Sequence, residues 1–303
     1  MKKLDKVIVD AKKLIDLPYN KFNLENYFSV LYDKGLNPIT VETKPNLPIK
    51  LMSGGNFYSN IVTTRNLYPK KGKNIYVVGK GMLFDSGGYN LKTGRTGSYG
   101  MHDDKAGMII AMSVSNYLGK NCVAYCPVTT NFLHNSKIIP GDEIDIGKKT
   151  VKVTNTDAEG RLVLAEAIAS LNASKDDIII TIATLTGAVG YAIGDEATGV
   201  FSPSNSLLAK YSAASYEAKE VAWALPLWEL YQQKYYNKKL IRNSVDEIKC
   251  GATEGALFVK QFVPNPNNWI HLDIAYSAFT QGKANGTPLR SLVKFINKLN
   301  EKS

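Results

Sequence analysis

Cysteine, histidine and long apolar runs are scarce in this chain, and each scarcity excludes something. The 303 residues include three cysteines, Cys122, Cys126 and Cys250. An odd number without a CxxC pair excludes a disulfide-stapled scaffold and fits buried thiols in a reducing compartment. The three histidines, His102, His134 and His271, are too dispersed for a local zinc motif. His102, beside Asp103, reads as a solvated neighbour rather than a ligand. No uninterrupted apolar run reaches the ~18 residues of a membrane-spanning helix. The chain opens Met-Lys-Lys, but Asp5, Lys6 and Asp10 break what would be a signal peptide's apolar core. A cytoplasmic location without membrane contact is the expectation. There is no internal repeat and no low-complexity tract.

What is present is an ordinary globular balance, 44% hydrophobic and 21% charged, and enough length for one large domain or about two. The formal net charge is +10. A basic surface can draw nucleic acid or anionic lipid. Here the lysines are scattered among Asn, Tyr and Ile, with no dense basic block and no nucleic-acid motif, so nucleic-acid binding is not the favoured reading.

Leu4, Val7, Ile8, Ala11, Leu14 and Ile15 recur at helical spacing, so a helix opens the chain and stops at Leu17-Pro18. A second helix over 24–34, closed by Gly35, precedes a strand over 37–42. From Asn74 onward, short apolar strands at 74–79, 121–130, 150–154, 177–183 and 269–274 alternate with helical stretches. Those stretches lie near 104–118, 160–173, 205–220, 227–238, 252–263 and 288–300. The alternation predicts an α/β fold, with a mainly parallel or mixed central sheet flanked by helices. Cys122 and Cys126 fall on one face of a strand and read as core. Trp223, Leu225, Leu227 and Trp228 read as core or interface packing.

Two charged loops follow predicted strands. In Asn155-Thr-Asp157-Ala-Glu159-Gly-Arg161-Leu162 the charges sit at alternate positions, which in an extended segment point the same way. They would converge at a strand end, where open α/β sheets place their sites; a salt-bridged turn is the plainer alternative. The other loop runs Val78-Gly-Lys80-Gly-Met-Leu-Phe-Asp85-Ser-Gly-Gly88, continues to Lys92, and then passes Met101-His-Asp103-Asp104-Lys-Ala-Gly107. Carboxylates gathered this densely resist joint ionisation, and divalent cations are the simplest remedy. The glycines match neither the phosphate-loop nor the dinucleotide pattern and read as tight-turn residues.

The segments VGKGMLFDSGG, NTDAEGRL and ATLTGA resemble the signatures of the leucine-aminopeptidase family, the cytosolic dinuclear metallopeptidases. PGDEID, WALPLWE and WIHLDIA stand in the expected order, so the similarity runs from about Ala11 to the C-terminal region. The resemblance implies a metal-dependent, leucyl-type aminopeptidase that hydrolyses the N-terminal peptide bond of short peptides with a metal-bridged water. It implies two divalent ions, Mn²⁺ or Zn²⁺, with Mg²⁺ or Co²⁺ also suited to the donors. It makes Lys80, Asp85, Asp104, Asp157 and Glu159 the metal ligands, with Asp85 and Glu159 bridging. A simple count from Lys92 gives Asp103 in place of Asp104; the position three residues after Met101 gives Asp104, which is the choice made.

By the same resemblance Lys92 stabilises the oxyanion and Arg161 anchors a bicarbonate ion that relays the proton. Met101, Thr184, Leu185 and Gly187 line the pocket for the first side chain, and Tyr276 stands where relatives usually have glycine. A homohexamer is the implied assembly. Residues 1–72 resemble a linker helix and the start of the catalytic domain, residues 73–303 the dinuclear metal domain, and the family's separate N-terminal domain is expected to be absent. The alternative is a catalytically silent scaffold or nucleic-acid-binding protein reusing the fold.

Overall fold

The structure, a computed structural model, describes residues 2–65, 73–94 and 97–301. Its helices are α1 (Lys2–Ile15), α2 (Tyr27–Asp33), α3 (Pro48–Met52), α4 (Ala106–Leu118), α5 (Glu159–Ser170), α6 (Ala188–Ile193), α7 (Asn205–Ala218), α8 (Glu229–Tyr231), α9 (Gly251–Lys260) and α10 (Leu289–Asn300). The strands of the large sheet are β1 (Ile39–Val41), β2 (Asn60–Thr63), β3 (Ile75–Gly79), β4 (Gly81–Asp85) and β5 (Val123–Asn131), followed after β6 (Glu143–Ile146) and β7 (Lys149–Lys152) by β8 (Ile178–Ala183), β9 (Thr198–Phe201) and β10 (Ala222–Ala224), and after β11 (Leu240–Arg242) by β12 (Trp269–Asp273). Strands β11, β7 and β6 form a separate small sheet.

The large sheet runs β1-β2-β5-β3-β8-β12-β9-β10, with β4 also pairing β5. Its centre is parallel: β3 pairs β5 and β8, and β8 pairs β12. Antiparallel pairs flank that centre at β1/β2, β2/β5 and β12/β9. Side chains alternate across a strand, and both faces of this sheet are covered. Val77, Ile180, Ile182, Ile270 and Leu272 face one core with α1, α4, α7 and α10. Tyr76, Val78, Ile179, Ala183 and Trp269 face the other, with α3, α5 and α9. Strands buried on both faces read as near-continuous apolar runs, which is why β3, β8 and β12 are plain in the sequence.

Several expectations need correction. The 81–85 segment, read as loop, is strand β4. Between β1 and β3 the chain also forms α3 and β2. The helix expected at 227–238 is only the one-turn α8 followed by a π-helical turn, Gln232–Tyr236. Helix α2 starts at Tyr27 rather than near Leu24. Of the group read as core or interface packing, Leu225 and Leu227 pack against one core, while Trp223 and Trp228 are 66% and 53% exposed. Cys122 and Cys126 are buried in one core. Among the described residues no helix is long and apolar enough to cross a membrane.

Candidate metal centre

Lys80 stands at the break between β3 and β4. Its amide donates to the Ile182 carbonyl at 2.9 Å, and its own carbonyl accepts from the Met108 amide at 2.8 Å. This backbone-to-backbone seam depends on glycine. A Cβ on Gly79 would lie 2.2 Å from the Gly107 carbonyl oxygen, and one on Gly107 would lie 2.4 Å from that of Ile182. The seam draws the start of α4 against the sheet and sets Asp104 beside Lys80.

Asp85 ends β4, where its Oδ1 accepts from the Gly87 amide at 2.9 Å and from Asn131 Nδ2 at 2.8 Å. The chain then turns through Gly87 and Gly88, at φ of 90° and 61°, a region glycine enters without strain. That turn returns Lys92 to Asp85. Asp157 lies in the turn before α5, and Glu159 is that helix's first residue.

These side chains meet. Lys80 Nζ is 2.7 Å from Asp104 Oδ2 and 2.8 Å from Glu159 Oε1, and it donates to the Thr184 carbonyl at 3.1 Å. The Thr184 hydroxyl donates to Asp104. Lys92 Nζ is 2.9 Å from Asp85 Oδ2 and 2.6 Å from Asp157 Oδ1. Of the two adjacent aspartates, Asp104 is the one paired with Lys80. Asp103 lines the same cavity.

The charges are strongly coupled. Burial, then Glu159, pushes the Asp85 carboxyl up to about 8 against the pull of Lys92. Burial and Glu159 also raise Asp157, and burial raises Asp104 despite Lys80. Burial would raise Glu159 too, but Lys80 and Lys92 hold it below the usual carboxylate range. For both lysines burial works against the charge; the surrounding carboxylates outweigh it and hold the ammonium groups above their ordinary value. Four carboxylates thus face two cations.

Asp85, Asp157 and Glu159 each offer an oxygen, and these atoms all lie within 4.8 Å of one another. Hard carboxylate donors crowded this closely, with a lysine amine beside them, fit divalent cations. The raised pKa of Asp85 and Asp157 is the electrostatic strain that such cations would relieve.

The cluster forms the polar wall of a cavity of about 260 Å³. Met101, Leu185, Ala275, Tyr276 and Phe279 form its apolar side, and Thr184 and Gly187 also line it. Asp273, which sequence reasoning passed over, clamps this side. It accepts from the Leu185 amide at 3.1 Å and from the Thr186 hydroxyl at 2.7 Å, and burial raises its carboxyl to about 6. Asn131, the partner of Asp85, was missed as well. Asp273 closes an apolar strand inside WIHLDIA, a signal that could have marked it; the Thr-Thr-Asn end of β5 carries no comparable mark.

Arg161 is elsewhere. The expected alternation of Asp157, Glu159 and Arg161 along an extended segment does not exist, because Glu159 starts a helix and Arg161 lies in its first turn. The residue does not line the cavity. It donates to the Asn243 carbonyl at 2.7 Å and pairs with Glu254 at 3.0 Å.

Lys80, Asp85 and Thr184 stand at the C-terminal ends of β3, β4 and β8, the position at which open α/β sheets bind ligands. Fold and site together define an α/β protein with a buried carboxylate–lysine cluster whose donors fit divalent cations. The chain belongs to the cytosol aminopeptidase family, whose catalytic-domain model matches residues 59–293. It is 34% identical over 252 residues to a probable cytosol aminopeptidase of Prochlorococcus marinus (strain MIT 9312), covering 78% of this chain and 51% of the relative. It is 37% identical over 224 residues to the chloroplastic leucine aminopeptidase of Solanum tuberosum, covering 70% and 39%. The chain therefore spans about half the length, or less, of these curated relatives. Among solved structures, the bottromycin maturation enzyme BotP in complex with Mn superposes with a TM-score of 0.83 at 22% identity, covering 98% of this chain and 70% of that one. That likeness is one of fold.

Proposed function

We propose that this chain is a metal-dependent aminopeptidase that removes the first residue of short peptides. The observation that carries the reading is the meeting of Asp85, Asp157 and Glu159 oxygens within 4.8 Å, in one cavity with Lys80, Asp104 and Lys92. Family membership and the manganese named with the BotP structure support it. Two divalent ions, Mn²⁺ or Zn²⁺, would be held by Lys80, Asp85, Asp104, Asp157 and Glu159. Bound there, they supply positive charge that polarises a carbonyl and makes water a stronger nucleophile.

The chain's own groups do the rest. The acidic wall attracts the free α-ammonium of a peptide, favouring the terminal bond over an internal one. The apolar side receives the first side chain, in keeping with a leucyl-type preference. Lys92, held protonated by Asp85 and Asp157, lends its charge to the oxyanion that develops at the attacked carbonyl, an electrostatic contribution expected to be large. Asp273 fixes the loop bearing Thr184, Leu185 and Gly187. A homohexamer in the cytoplasm is the setting in which we place this activity. The catalytically silent alternative would require some of these groups to be lost, and all of them carry suitable donors.

The test is hydrolysis of a leucine anilide by the purified protein supplied with Mn²⁺ or Zn²⁺. Turnover is expected in the wild type and abolished in Lys92→Ala and Glu159→Ala, with metal content also lowered in the latter. Wild-type rates in either variant, or no turnover with any metal and any of several aminoacyl anilides, would refute the reading.

A further inference from the structure

The resemblance implies an external anion, bicarbonate, on Arg161. Around that guanidinium the chain has placed a carboxylate of its own. Arg161 and Glu254 are 6% and 5% exposed, and Nη1 of Arg161 lies 3.0 Å from Oε1 of Glu254. The same Nη1 donates to the Asn243 carbonyl at 2.7 Å, while Oε1 of Glu254 also accepts from the Val245 amide at 2.6 Å. Neither residue lines the cavity that holds the carboxylate cluster. The Asn243 side chain extends the tie, accepting from the Thr154 amide at 2.7 Å and donating to the Asn155 carbonyl at 2.6 Å.

We infer that Glu254 is a built-in counter-anion for Arg161, so that this protein neither needs nor binds bicarbonate there. A buried ion pair is net neutral, and the attraction that would recruit a second anion is cancelled by the first. A further carboxylate-like ion would also have to leave water beside Glu254, with Glu159 two residues from Arg161. Burying an anion without its own compensating charge is costly. Arg161 then acts as a positioning residue. It ties the first turn of α5, which carries Glu159, to the start of α9, which carries Glu254, and to the segment after β11.

The inference rests on the aminopeptidase reading only for its kinetic arm; the binding arm stands without it. Using the Mn²⁺-supplied protein in carbon-dioxide-free buffer, bicarbonate is titrated while the thermal midpoint and the leucine-anilide rate are followed. Wild type is expected to show no change in either. In Glu254→Ala, which leaves Arg161 unpaired, the rate falls ten- to hundred-fold, about the effect of displacing groups near the chemistry. Bicarbonate then restores part of the rate and raises the midpoint, as a ligand of the folded state must. Glu254→Gln, of nearly the same size, repeats the test should the alanine variant fail to fold. A bicarbonate-dependent rise in the wild-type midpoint or rate that Arg161→Met removes would overturn the inference. Should no turnover be seen at all, the aminopeptidase reading fails, and the midpoint still decides whether Arg161 is open to an anion.

Discussion

A Cβ on Gly160 would lie 2.9 Å from Nζ of Lys80 and 2.8 Å from its Cε. The lysine cannot yield easily, since the same Nζ is held by Asp104 and Glu159 at 2.7 and 2.8 Å. Alanine is otherwise the better residue in a helix, by about 1 kcal/mol over glycine. Gly160→Ala is therefore expected to fold normally while displacing Lys80. Metal content should fall and turnover drop on the order of hundred-fold, the scale of a 1 Å misplacement at a reacting centre. Elemental analysis beside a thermal melt checks this; full metal content with full activity would show that Lys80 is not held where the cluster needs it.

Tyr276 sets the reach of the apolar wall. Its ring packs against Gly190, where a Cβ would come within 2.7–3.0 Å of ring carbons. It is 38% exposed and lines the cavity. Tyr276→Gly should open that side. The ratio of kcat/KM for phenylalanine over alanine anilides is expected to rise roughly ten-fold or more, since each methylene a hydrophobic pocket accepts or refuses is worth about ten-fold. Tyr276→Phe should leave the ratio unchanged. An unaltered ratio in Tyr276→Gly would remove Tyr276 from the specificity pocket.

Outside the site, Glu166 links stability to pH. Its Oε2 accepts from the Ile49 amide at 2.8 Å, and burial pushes its carboxyl from 4.5 up to about 8. Between those values the folded protein keeps a proton that the unfolded chain has released. The contribution of this group to stability therefore falls as pH rises through that window. Glu166→Gln keeps an acceptor for Ile49 and removes the titration. Its thermal midpoint should exceed wild type at pH 8, by an amount corresponding to a few kcal/mol at most, and converge with it near pH 4.5. A constant offset at all pH values would contradict the account.

Much of this was legible in the sequence because it follows from runs and spacings. Ile178–Ala183 and Trp269–Asp273 are buried on both faces and so read as apolar throughout. The apolar run of the helix at 106–118 is plain, and Lys80 stands just past strand β3. The rest is set by tertiary pairing. Gly81–Asp85 is a strand only because β5 offers it Val128 and Thr129 as parallel partners, and two glycines beside Lys80 masked that in the sequence. Thr198–Phe201 and Leu240–Arg242 are too short to announce themselves. The alternating charges at 157, 159 and 161 look like one face of a strand. What decides their placement is that a helix starts at Glu159 and that Glu254, ninety-three residues beyond Arg161, pairs with the arginine.

The central claim is that carboxylates from separate loops form one site for divalent cations. Calorimetric titration of chelator-stripped protein with Mn²⁺ tests it most directly. The account predicts saturable binding of two ions per chain, with protons released as Lys80 and Asp85 give up theirs, and loss of at least one ion in both Asp85→Asn and Glu159→Gln. No saturable binding, or binding that both variants leave intact, would contradict it.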